Sequence, residues 1–189
     1  MVEISTDTRT AEKRRRILQA AWVLVLRHGL RGMTMEALAR EAGIAKATLY
    51  TQFADKDNVI AGMIDDMLIE LQAAFAKGMT DEGTVAERIG AALAGKYGLI
   101  IRALEGSPHA DELFNEHYRF AARFKALDGN IEDQIAAALA GAGAVAAPAL
   151  TRIILGAAHG IARDLSGAEE VDRAIRLMCR RMIEPEVRG

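Results

Sequence analysis

Between Thr34 and Lys56 the chain sets out two threonine hydroxyls (Thr34, Thr48), a phenol (Tyr50), a carboxamide (Gln52) and two amines (Lys46, Lys56). These groups exchange hydrogen bonds with phosphate oxygens and with the edges of bases. Leu49 and Phe53, four residues apart, supply an apolar anchor on one side of a helix, so that Lys46, Ala47, Thr48, Tyr50 and Gln52 crowd the other side. Catalytic patterns are missing: there is no Gly-rich phosphate loop, no G-x-S-x-G elbow and no H-E-x-x-H pair. Cys179 stands in an apolar helical stretch and reads as core. The expectation is a binding protein with no catalytic residue, no metal and no cofactor.

These side chains must be held by short helices. Thr34 is a plausible cap for a helix over Met35–Ala42 whose Leu38 and Ala39 face inward, Gly43 permits a tight turn, and a third helix runs from Ala45 to Gln52. That spacing is the one a helix-turn-helix uses to lay its second helix in the major groove of DNA. An αα-hairpin inside an unrelated helical protein has the same geometry, and spacing alone leaves both open. Before the pair, a helix over Ala11–His28 places Ile17, Ala20, Ala21, Leu24 and Val25 on one stripe and ends at Gly29. The basic run Lys13 to Arg16 lies upstream of that stripe. Asp55 caps a long fourth helix running to about Lys77.

The whole chain has 189 residues, 51% of them hydrophobic and 26% charged, with alanine at 36 positions and only 5% aromatics. This is the balance of a soluble, helical protein. One cysteine allows no intrachain disulfide, and a polar start, MVEISTDTRT, carries no apolar leader, so the expected compartment is the cytoplasm. The net charge of −2 argues against a nucleic-acid partner only as an average. Residues 1–60 hold 10 Lys/Arg against 7 Asp/Glu, or +3, and the remainder 14 against 19, or −5. The basic end is the one that carries the hydrogen-bonding cluster.

The segment ILQAAWVLVLRHGLRGMTMEALAREAGIAKATLYTQFADKDNVIAGMI resembles the N-terminal region of TetR-family transcriptional regulators. It shares their Ala-rich first helix, Gly29, Thr34, Gly43, Thr48-Leu49-Tyr50, Phe53 and Lys56 in order. The resemblance implies that Thr34, Thr48, Tyr50 and Lys56 contact phosphates, and that Lys46 and Ala47 face base edges with Tyr50 and Glu36 close by. Gln52 stands where the family often has a ring that reaches phosphate. Two positions depart from the pattern: Ala45 replaces a capping serine, and Glu36 brings a negative charge near phosphate, where it better serves the first turn of its own helix. The fold implied is all-α, about nine helices, with a helix-turn-helix DNA-binding domain over residues 1–56. A long helix joins it to a helical effector-binding and dimerisation domain over residues 57–189.

In that second part Thr84 and Glu87 form a capping box for a helix to Leu104, and Ser107-Pro108 opens the next, which carries Leu113 to Leu127. Asp128-Gly129 punctuates it, a further helix covers Asn130–Leu139, and GAGAVAAP is a loop. The last two long helices, from Pro148 and from Ala168, show apolar faces (Val171, Ile175, Met178 and Met182 on the second). Gly156 and Gly160 would let a partner backbone approach, which makes them the expected homodimer surface. Tyr97, Phe114, His117, Tyr118, Phe124, His159 and Arg163 are the candidates for contacts to a small apolar or amphipathic effector. Asp111, Glu112, Glu116 and His117 have a spacing that a metal site and a solvated charged face share. The reading is a ligand-responsive repressor that binds a palindromic operator as a homodimer, without a membrane. Its rivals are a dimeric regulator lacking any effector and a small helical enzyme.

Overall fold

The structure, a computed structural model, describes residues 6–115, 121–165 and 167–187. Among these residues all regular structure is helical, in nine helices: α1 (Thr6–Gly32), α2 (Met35–Glu41), α3 (Lys46–Gln52), α4 (Lys56–Met79), α5 (Val85–Leu104), α6 (Ala110–Asn115), α7 (Ala121–Gly141), α8 (Ala147–Asp164) and α9 (Ala168–Val187). The all-α expectation therefore stands. Two compact units result, Met1–Met67 with Gly106–Glu116 and Leu68–Glu105 with His117–Gly189. The boundary expected after residue 56 is where α4 begins; α4 itself contributes residues to both units.

In the first unit the apolar stripe of α1 is buried as its spacing requires, with Ile17, Ala21 and Val25 fully enclosed and Leu38, Leu49 and Val59 joining them from α2, α3 and α4. Each of the larger ones, Ile17, Val25, Leu38, Leu49 and Val59, contributes roughly 1.5–3 kcal/mol by leaving water. Gly62 of α4 lets Arg14 of α1 and Phe53 come close, and the Arg14 guanidinium lies 4.5 Å above the Phe53 ring. Gly29 does not end α1 as expected. It takes a left-handed φ of 68° and the helix resumes as far as Gly32. A break of this kind frees carbonyls of the preceding turn. Ser107 answers one of them: its hydroxyl donates to the Leu26 carbonyl at 2.8 Å and accepts the His109 N–H at 3.1 Å. So Ser107 and Pro108 precede a helix that opens only at Ala110.

In the second unit α5 packs chiefly on α9. Ile89 and Leu93 on one helix and Val171, Ile175, Cys179 and Ile183 on the other are buried. The buried stripe of α9 thus runs through Cys179 and Ile183, while Met178 and Met182 are half-buried beside it. Enclosure pushes the Cys179 thiol up to about 12. The expected interruption at Asp128-Gly129 is absent, and α7 runs unbroken through it. Leu127, Ile131, Ile135 and Leu139 form one buried row across that point, and their burial outweighs the roughly 1 kcal/mol that a mid-helix glycine loses relative to alanine. The GAGAVAAP segment contracts to a turn over residues 142–146, with Pro148 in the first turn of α8. Thr151, buried in α8, donates its hydroxyl to the Ala147 carbonyl at 2.8 Å. No helix among the described residues is long and apolar enough to cross a membrane.

Candidate nucleic-acid interface

The hydrogen-bonding cluster sits on two short helices whose ends are set by their caps. Thr34 is extended, and its hydroxyl accepts the Ala37 N–H at 3.1 Å, starting α2. Gly43, with φ of 63°, makes the left-handed turn that a side chain would resist. Ala45 then heads α3 without a side-chain cap. Downstream, the Asp55 carboxylate accepts from the backbone N–H and the side-chain amide of Asn58, both at 2.8 Å, which fixes the first turn of α4 and holds the carboxyl below its usual range.

Leu49 is fully buried and Phe53 nearly so, and they clamp α3 to the first unit through one side. The other side is presented to solvent: Lys46 and Ala47 are exposed, Tyr50 is 45% exposed, and Thr48 and Gln52 are half-buried. Thr34 is exposed at the start of α2, and Lys56 is half-buried in the first turn of α4. All seven residues expected to meet DNA therefore belong to one unit.

A contact that spacing did not reveal joins the two helices. The Lys46 ammonium pairs with the Glu36 carboxylate, ten residues earlier on α2. The hydrogen bond from Lys46 holds the Glu36 carboxyl below its ordinary range, and the same bond raises the lysine. Both groups are therefore charged at neutral pH. Glu36 also stands in the first turn of α2, where a carboxylate suits the helix dipole.

The missing cap is testable. Ala45→Ser supplies an oxygen to the first-turn N–H groups of α3 and should stabilise the protein by about 1 kcal/mol. For a chain of this size that is a rise of roughly 2–4 °C in the thermal midpoint followed by circular dichroism. An unchanged midpoint would mean that water already serves those N–H groups equally well.

The candidate effector contacts are less closely gathered. Tyr97 of α5 is buried, and its ring meets His159 of α8 edge-on, centroids 6.4 Å apart. Phe124 is buried on α7. Arg163 is exposed at the end of α8 and bonds Asp164 at 2.9 Å. His117, Tyr118 and the side chain of Phe114 lie outside what the structure describes, as do two of the four residues weighed as a metal set, Glu116 and His117. No group of three potential metal ligands gathers among the described residues. Sequence reasoning passed over Lys96, which follows a run of small and apolar residues on α5 and is buried. Its ammonium stands 3.5 Å from the Asp128 carboxylate and 5.1 Å from the centre of the Tyr97 ring.

Residues 17–63 match the family model described as bacterial regulatory proteins, tetR family. No curated protein matches the chain. Among solved structures, a transcriptional regulator of the TetR/AcrR family from Thermobifida fusca YX-ER1 superposes with a TM-score of 0.71 at 22% identity, over 89% of this chain and 96% of that one. AibR, solved in complex with isovaleryl coenzyme A and operator DNA, gives a TM-score of 0.67 at 19% identity over 88% and 97%. The ketosteroid transcriptional regulator KstR2 of Mycobacterium tuberculosis gives 0.62 at 17% over 91% and 93%. Identities this low speak for a shared fold.

Proposed function

We propose that this TetR-family chain is a cytoplasmic, ligand-responsive repressor that binds a palindromic DNA operator as a homodimer and catalyses no reaction. The observation that carries the reading is α3: a short helix clamped by Leu49 and Phe53, with Lys46, Ala47 and Tyr50 left exposed beside a Thr34-capped partner helix. Such a helix can enter a major groove, with Lys46 and Ala47 toward base edges and Thr34, Thr48, Tyr50, Gln52 and Lys56 toward phosphates.

One recognition helix spans few base pairs, and pairing two about a two-fold axis reads two half-sites. The surface of α8 and α9 supports that arrangement. Ile153 is 56% exposed on α8, Leu177 is 50% exposed on α9, and a methyl group added at Gly156 or Gly160 would meet nothing within 4 Å. Exposed aliphatic side chains with unobstructed glycines beside them suit a second copy of the chain.

The effector reading draws on the second unit. Tyr97, His159, Phe124 and Lys96 combine apolar enclosure with a few polar groups, as small-molecule sites do. AibR, of the same fold, was solved with both isovaleryl coenzyme A and operator DNA. Ligand binding would favour a dimer spacing that no longer fits two grooves, so occupancy and DNA affinity oppose each other.

Selection of bound duplexes from a random pool, with the mass of the complex measured by light scattering, tests the reading. The expected product is an inverted repeat bound by two chains. Failure to enrich any sequence, or a monomer bound to a single half-site, would overturn it.

A further inference from the structure

We propose that Lys96 is the anion-binding residue of the second unit, and that a singly charged carboxylate ligand can take the place on its ammonium that the Asp128 side chain holds in the structure. The proposal rests on the effector reading above and names the class of ligand.

An ammonium has three protons to place, and burying it is unfavourable unless partners meet them. Lys96 is 7% exposed, and among the described residues its only hydrogen-bond acceptor is Asp128, at 3.5 Å, the outer limit for such a bond. The Tyr97 ring offers its face at 5.1 Å, which eases the charge without accepting a directed hydrogen bond. Burial pulls the lysine downward in pKa and Asp128 pulls it back up, the first effect being the larger. Lys96 is thus a buried cation whose hydrogen bonding is incomplete.

Asp128 is the more accessible member of the pair, its side chain 41% exposed against 9% for Lys96, so an incoming anion competes with a carboxylate that already faces water. An incoming carboxylate offers the same two oxygens at better distance and leaves the number of charges on Lys96 unchanged. A single ammonium beside an existing carboxylate balances a monoanion, whereas it would leave a phosphate dianion with an uncompensated charge in a buried site. Tyr97, with His159 edge-on to it and Phe124 on α7, would supply aromatic surface for an apolar body behind the charged head. Because Lys96 is on α5 and Asp128 on α7, the exchange removes a link between two helices of one unit. Ligand binding is thereby coupled to helix packing.

The test uses the full chain with benzoate, hexanoate and decanoate, each beside its matching alcohol, followed by thermal shift and calorimetry. At least one carboxylate should stabilise the protein more than its alcohol does. Lys96→Met should weaken that carboxylate at least tenfold while leaving the alcohol unchanged, and Asp128→Asn, which removes the competitor, should strengthen it severalfold. Without ligand, Lys96→Met should melt no lower than the parent, because a poorly matched buried charge is gone. Equal carboxylate affinity in Lys96→Met would overturn the proposal. Should that variant fail to fold, an Asp128→Asn protein that binds carboxylates no tighter overturns it instead. Stabilisation by the alcohols alone would also overturn it and leave the effector reading standing, whereas stabilisation by none of the six compounds would overturn it and count against the effector reading itself.

Discussion

A Gly78→Ala variant is expected to lose about 3 kcal/mol of stability or more, at the upper end of what overpacking usually does. Near its C-terminus α4 crosses α5 with backbone against backbone: a Cβ on Gly78 would lie 2.2 Å from the Ala92 nitrogen and 2.4 Å from its Cα. Neither atom belongs to a flexible side chain, so relief requires the helices to separate. A second glycine, Gly95, approaches the same pairing from α5, where a Cβ would sit 3.2 Å from the Ala74 carbonyl oxygen. Ordinarily alanine is favoured over glycine inside a helix by roughly 1 kcal/mol, and that gain is swamped here. The control is Gly129→Ala, in the middle of α7 with nothing within 4 Å of the added methyl, which should be neutral or stabilising by up to about 1 kcal/mol. Urea titrations of both variants decide the matter. If Gly78→Ala unfolds at the parental midpoint, the two helices do not pack as closely as described.

Gly78 also shows where reading a sequence stops. The ends of α2, α4 and α5 were legible because Thr34, Asp55 and Thr84 with Glu87 act on N–H groups two or three residues away, and Gly43 acts on its own φ. Stripes such as Ile17, Ala21, Leu24 and Val25 were legible for the same reason: a helix brings i, i+4, i+7 and i+8 to one side whatever lies opposite. Asp128-Gly129 misled because turn chemistry is a local preference, and the row from Leu127 to Leu139 overrides it only through partners distant in sequence. Lys96 and Gly78 carry no local signal at all. A lysine after GAALAG could as well face water, and a glycine near a helix end could as well mark that end. What distinguishes them is the atom on the opposing helix.

The exposed side of α3 was legible, yet the state of its principal cation was not, and this governs the second large effect. Lys46→Ala should lower discrimination at one base pair by about 1–3 kcal/mol, a factor of roughly 5 to 150, while Tyr50→Phe and Lys56→Ala weaken binding to all sequences alike. In the free protein Lys46 is held by Glu36, and both are charged at neutral pH. To reach a guanine edge the ammonium must leave the carboxylate or bring it along, and a phosphate passed during sliding must compete with the same carboxylate. On the proposed reading, Glu36 would withhold one cation from non-specific contacts. Glu36→Gln should accordingly tighten binding to random duplex, steepen the dependence of log affinity on log salt by about one phosphate's worth, and narrow the gap between operator and random sequence. The two substitutions thus act on discrimination by opposite routes, one by removing the reader and the other by freeing it to touch phosphate. Titrations of fluorescent operator and scrambled duplex at several salt concentrations separate them. A Glu36→Gln protein with the parental salt slope and the parental operator preference would show that the pair dissolves before DNA arrives and plays no part in recognition.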